Sequence, residues 1–187
     1  SRIDAENIFI VGHSMGAMLA PRIDAEGGDY KGLILMAGTP RKLEEILIEQ
    51  TKEATGSMKG FIKKLAEKQI QKFVQLFDGL YEMSDAQAMK VKVGGGTTLY
   101  YYKEMGEHAV EVYLENNHKP MMIMQGAKDF QAKADKDFAM YQNLLKDRIN
   151  VTFKFVFALI LSFALISIVT LWSFVNFKSS FSYRGLI

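Results

Sequence analysis

Hydrophobic and polar positions divide the chain into stretches of different period. Ile8-Phe9-Ile10-Val11 is continuously apolar, as are Leu33-Ile34-Leu35-Met36 and Met121-Met122-Ile123-Met124. Unbroken runs of this length predict parallel strands covered on both faces. Val151-Thr152-Phe153-Lys154-Phe155 alternates instead, as an edge strand does. Between Arg41 and Asn117 the period becomes helical: Ile62, Ala66, Ile70, Phe73, Phe77 and Leu80 recur on one face, with Lys59, Lys63, Lys64, Glu67, Lys68 and Lys72 largely between them. Those lysines read either as a solvated face or as a patch for a membrane surface or an acidic partner. Gly94-Gly95-Gly96 predicts a flexible joint. Phe138, Tyr141, Leu144 and Leu145 give a later helix its buried face, with Asp135 and Asp137 in the first turn where they suit the dipole.

Composition narrows the class. A length of 187 residues predicts one domain with a sizeable core. The net charge of +2 points to no nucleic-acid partner, and the absence of cysteine excludes disulfides, thiolate metal sites and Cys nucleophiles. His13, His108 and His118 lack the spacing of a zinc site, so neither a metal nor another cofactor is implied. Ser1-Arg2-Ile3-Asp4 runs directly into the first strand pattern, as an opening inside a longer sequence would.

The chemistry enters at Gly12-His13-Ser14-Met15-Gly16, which joins the first apolar run to a helix-forming run beginning at Ala17. A G-x-S-x-G between strand and helix predicts a nucleophile elbow. Its glycines let strand and helix approach closely, and the strained turn lifts the Ser14 hydroxyl clear of the sheet. The Met15 N–H, in the first turn of the helix, then points where an acyl oxyanion would form. The plain alternative is a chance match in an ordinary strand-to-helix turn. Pro21 is expected to interrupt the helix, and Glu26-Gly27-Gly28-Asp29 to end the connection.

Ile8–Ala20 followed by Gly32–Pro40 resembles the elbow and next strand of the α/β-hydrolase fold, in particular its bacterial esterase, lipase and serine-aminopeptidase-like members. The likeness covers residues 1 to about 155. It implies an α/β fold: a partial α/β-hydrolase sheet with strands equivalent to the family's fifth to eighth, a helical lid insert and a C-terminal hydrophobic helix. The corresponding parts are 1–40, the elbow part of the core; 41–117, the lid; 118–155, the C-terminal part of the core; and 156–187, a hydrophobic tail. By the same resemblance Gly126-Ala127-Lys128-Asp129 carries the triad acid, Asp129; a turn or N-cap aspartate is the alternative. The implied activity is hydrolysis of small-molecule carboxylic esters: Ser14 attacks, Met15 N–H holds the oxyanion, and Asp129 orients a histidine base. Amide or peptide hydrolysis is the second reading, and the hydrolase part is expected to be cytoplasmic.

The chain departs from the family where the catalytic histidine should follow the last strand. Phe155 to Phe177 is instead a run of 23 uncharged residues. As a helix it would be roughly 35 Å long at about 1.5 Å per residue, against a hydrocarbon core of about 30 Å. It reads as a membrane-spanning candidate giving membrane contact through 155–177, with a buried helix as the alternative, and it raises the second hypothesis of a non-catalytic, membrane-anchored protein. His13 sits inside the elbow, His118 precedes a strand at the opposite end of the sheet, and His108, in the lid region, precedes the acid. The triad base is therefore expected to be missing and activity impaired. The family's first four strands and oxyanion loop are also absent, which makes Ile8–Val11 a bare apolar edge. The sequence indicates no oligomeric state.

Overall fold

Apolar runs bury their backbone polar groups only if they pair, and side-by-side pairing also gathers their side chains on common faces. The computed structural model describes residues 4–56, 58–94 and 96–156. In chain order its elements are β1 (Phe9–His13), α1 (Met15–Ile23), β2 (Gly32–Met36), α2 (Leu43–Gly56), α3 (Gly60–Gln75), α4 (Asp85–Ala88), β3 (Lys92–Gly94), β4 (Thr97–Thr98), α5 (Leu99–Glu107), α6 (Val110–Asn116), β5 (Met121–Gly126), α7 (Ala139–Leu144) and β6 (Val151–Val156). One four-stranded sheet has the order β1-β2-β5-β6, parallel throughout. Its register sets Val11 beside Ile34, Leu35 beside Ile123, and Ile123 beside Phe153.

The two faces of this sheet differ. Leu33, Leu35, Met121 and Ile123 point to one face, where they join Ala17 and Ala20 of α1, Leu114 of α6, and Phe138, Tyr141 and Leu145 around α7 in a single buried cluster. Phe153 of β6 packs against it, edge-on to Phe138 at 5.8 Å between ring centres. Strand alternation puts Phe9, Val11, Ile34, Met36, Met122 and Met124 on the other face. None of these joins the cluster among the described residues, and Phe9 and Val11 are 50% and 60% exposed. The expectation of strands covered on both faces is thus met on one side only, and β1 is an edge.

Other elements also refine the sequence pattern. Pro21 does not interrupt α1; it lies inside the helix, two residues before its end. The helix through Ile62 and Ile70 stops at Gln75, and turns carry the chain past Gly79, at φ 67°, to buried Leu80. There Leu80, Ala88 and Leu99 form a second, smaller cluster with Phe77 and Tyr102, whose rings meet edge-on at 5.2 Å. In place of a loose joint at Gly94, β3 and β4 pair antiparallel, with Lys92 opposite Thr98. Among the described residues no helix is long and apolar enough to cross a membrane. Phe155 and Val156 belong to β6, and the remainder of the run expected to do so lies outside the described residues.

The asymmetry of the sheet is measurable by urea unfolding. Leu35→Ala, deleting a fully buried side chain, is expected to cost about 2–5 kcal/mol. Val11→Ala, on the open face, should stay within about 1 kcal/mol.

Candidate active site

Parallel strands deliver their following loops to one edge of the sheet, where α/β proteins bind ligands. Here backbone hydrogen bonds continue past the strand ends and tie those loops together. Ser14 N–H donates to the Met36 carbonyl at 2.8 Å, Ala37 N–H to that of Met124 at 2.9 Å, and Ala127 N–H to that of Val156 at 3.0 Å. Ser14 and the loop carrying Asp129 therefore stand on the same rim.

Ser14 is the single residue between β1 and α1, with φ 53° and ψ −117°. Positive φ is costly for a side chain with a Cβ. The Ser14 carbonyl accepts from Ala17 and Met18 N–H at 3.0 and 3.3 Å, starting the helix, and the residue is exposed. The tightness comes from Gly12: a Cβ there would lie 2.2 Å from the Gly16 carbonyl oxygen. Gly16 behaves differently, since a Cβ at that position meets nothing within 4 Å. The close approach thus requires a glycine at position 12 alone, and Gly16 contributes its backbone. Met15 N–H is the first of α1, so it has no carbonyl within the helix to bond. Above it, the Tyr101 hydroxyl of α5 donates to Met15 Sδ at 2.8 Å.

Asp129 lies in a turn closed by its own side chain. Its Oδ1 accepts from Gln131 and Ala132 N–H at 2.9 and 3.2 Å, and the buried Gln125 amide donates to the Ala132 carbonyl at 2.7 Å. One carboxylate oxygen is engaged in turn formation, as the alternative reading of this residue requires. Its charge nevertheless reaches the elbow. Burial pushes the His13 imidazole below its ordinary value, and the Asp129 carboxylate partly offsets this.

The other two histidines stand elsewhere. His108 Nδ1 is 2.8 Å from the Tyr113 hydroxyl and its Nε2 is 3.8 Å from Glu104, which itself binds Arg22 near the end of α1. Arg22 is eight residues beyond Ser14, roughly 12 Å along a helix rising about 1.5 Å per residue. His118 precedes β5 at the opposite edge of the sheet, where its carbonyl accepts from Asn150. Among the described residues no group of three His, Asp or Glu side chains could hold a metal ion.

The residues the sequence reading missed lie beside this rim. Asp137 lies in the first turn of its helical segment, as expected, but is fully buried. Its Oδ1 accepts from Thr39 Oγ1 and Arg41 Nε, both at 2.6 Å, and its Oδ2 from Arg41 Nη2 at 3.1 Å and Lys133 N–H at 2.5 Å. Arg41 also binds Glu49 of α2 and holds that carboxyl down at about 2. Beyond the dipole contact, four donors take the place of water around the carboxylate and allow it to be buried. A signal was present, because Asp137, Tyr141 and Leu144 fall at helical spacing on one face.

No protein-family model matches the chain. Over 151 residues, 80% of its length, it is 25% identical to the esterase EstD of Thermotoga maritima. The chain is similar to α/β-hydrolase esterases. It spans about one third, 34%, of the length of that curated relative. Among solved structures it overlays on an esterase of Pyrococcus furiosus with 16% identity and a TM-score of 0.45, covering 82% of this chain and 45% of that one. The corresponding figures for an acylaminoacyl peptidase of Pyrococcus horikoshii are 15%, 0.43, 82% and 19%.

Two measurements test the geometry of this rim. Gly12→Ala should lose about 1–3 kcal/mol in urea unfolding through the clash with Gly16, while Gly16→Ala should be neutral or gain up to about 1 kcal/mol of helix propensity. Asp129→Asn, which keeps the turn acceptor but removes the charge, should move the NMR titration midpoint of His13 further down, because the protonated ring loses its attractive partner. An unchanged midpoint would place Asp129 beyond electrostatic reach of the elbow.

Proposed function

We propose that this chain carries the nucleophile and the acid of a serine-dependent carboxylic ester hydrolase of the α/β-hydrolase type. The observation that supports it most is the backbone of Ser14. A residue with a side chain is held at φ 53° and ψ −117° at the sheet rim, directly before a helix N-terminus. Such strain at an exposed serine is expected where the turn serves chemistry. In this reading Ser14 Oγ attacks the acyl carbonyl, the Met15 N–H donates to the developing oxyanion, and Asp129 orients and charges an imidazole that takes the serine proton. The helical region 41–117 acts as a lid, a role favoured by the contact of Tyr101 with Met15 beside the nucleophile.

In this reading none of the three histidines of the sequence, His13, His108 and His118, serves Ser14 as base, which the partners of His108 and His118 away from the elbow support. His13 closes β1 directly before Ser14, inside the elbow itself. Without a base the hydroxyl is a weak nucleophile at neutral pH. The expected outcome with 4-nitrophenyl acetate is therefore a rate equal to that of Ser14→Ala. Imidazole added from solution should raise the unsubstituted chain above Ser14→Ala. Turnover well above the alanine variant without imidazole contradicts the missing base, and an equal response of both proteins to imidazole contradicts Ser14 as nucleophile.

A further inference from the structure

The apolar face of α3 is covered along only part of its length. Ala66, Ile70 and Phe73 lie on the strip beside α2, where with Thr51 and Thr55 they line a groove of about 500 Å³. Toward the helix N-terminus that face is open: Phe61, Ile62 and Leu65 are 80%, 67% and 53% exposed, and Met58 just before the helix is exposed as well. These large side chains stand exposed, outside the groove.

Charge surrounds them with one sign. Lys59, Lys63, Lys64, Lys68 and Lys72 face a single acid, Glu67, on this stretch. Lys63 approaches Glu67 at 3.9 Å. Among the described residues the other four have no carboxylate within ion-pair distance, whereas Lys103, Lys119, Lys133 and Lys136 each pair with one or more. At about 100° per residue, Lys64 and Lys68 border the exposed residues on the side away from α2, while Lys72 falls in line with Phe61 and Leu65 and reaches the groove beside α2.

We propose that α3 docks this protein on an anionic lipid surface, with Phe61, Ile62 and Leu65 sinking into the headgroup–acyl boundary and the lysines reaching lipid phosphates. An apolar strip edged by lysines is the form that lies in a membrane interface, because the lysine stems follow the apolar residues inward while their ammonium groups stay at the charged level. A second copy of the chain fits less well, since a two-fold contact through this strip would set the uncompensated lysines of both copies face to face. This docking is peripheral, distinct from any contact made by 155–177, and does not depend on Ser14.

Flotation with vesicles of phosphatidylcholine alone and of phosphatidylcholine mixed with phosphatidylglycerol tests it on the full chain. Binding should favour the mixed vesicles by at least about tenfold and weaken at high salt. Phe61→Asp/Leu65→Asp and Lys64→Glu/Lys68→Glu should each reduce it by at least about tenfold. Ser14→Ala should bind like the unsubstituted chain. The altered side chains are exposed, and an unchanged circular dichroism spectrum and urea midpoint would verify that both variants fold. Equal binding to neutral and anionic vesicles, or binding indifferent to both α3 variants, assigns lipid contact to another part of the chain and overturns the proposal. So does the absence of vesicle binding, as a protein partner for the strip would give. The proposal also fails if Phe61→Asp/Leu65→Asp converts a dimer to a monomer in sedimentation velocity without changing lipid binding.

Discussion

A carboxylate removed from water must be met by donors on every side, and Asp137 imposes that requirement on the whole rim. Its four hydrogen bonds come from Thr39, from two nitrogens of Arg41, and from the Lys133 backbone. Thr39 and Arg41 follow β2, Lys133 follows β5, and Asp137 leads into α7. Through Arg41 the same ion reaches Glu49 on α2. Removing one partner of such a buried pair typically costs about 3–5 kcal/mol, because the survivor keeps its desolvation penalty. The start of the helical region and the segment after β5 are therefore fixed to each other by an ion network centred on Asp137 and extended by the pairs of Lys133 and Lys136 with Glu49 and Glu53.

What could be read beforehand follows from which forces are local. Periods of apolar residues gave β2 and β5 closely, and the glycine–serine pattern located the elbow, because strand alternation, helix phase and turn strain are written within a few neighbouring positions. Contacts across long stretches of chain were not legible in this way. Arg41 and Asp137 are 96 positions apart, and nothing near either one names the other. The helix expected to run to Leu80 stopped at Gln75 for a related reason: Leu80 is buried by Ala88 and Leu99, a partnership that the helical period mimics without specifying. Asp129 was placed on the rim through its likeness to a family, and the turn that engages its Oδ1 became visible only in three dimensions.

Runs of unbroken hydrophobicity state that both sides of a strand avoid water, but not what covers them. On the α1 and α7 side the cover is part of the described chain. On the other side Phe9, Val11, Ile34, Met36, Met122 and Met124 make a continuous apolar surface. Apolar strand edges and faces of this kind lend themselves to pairing with other chains. The β1 edge, with Phe9 and Val11 at its border, is the part of the sheet that most needs a neighbour.

The backbone ladder that runs past the strand ends has a consequence for scale. Ser14 is bonded to the end of β2, and Ala37 to the end of β5, so Ser14 and the strand end that leads to Asp129 are two interstrand steps apart, about 10 Å at roughly 4.8 Å per step. That interval is set by peptide geometry and does not adjust to side-chain substitution. On the proposed hydrolase reading, whatever links the serine to the aspartate has to bridge that fixed gauge, and its breadth matters more than any shift of the two residues toward each other.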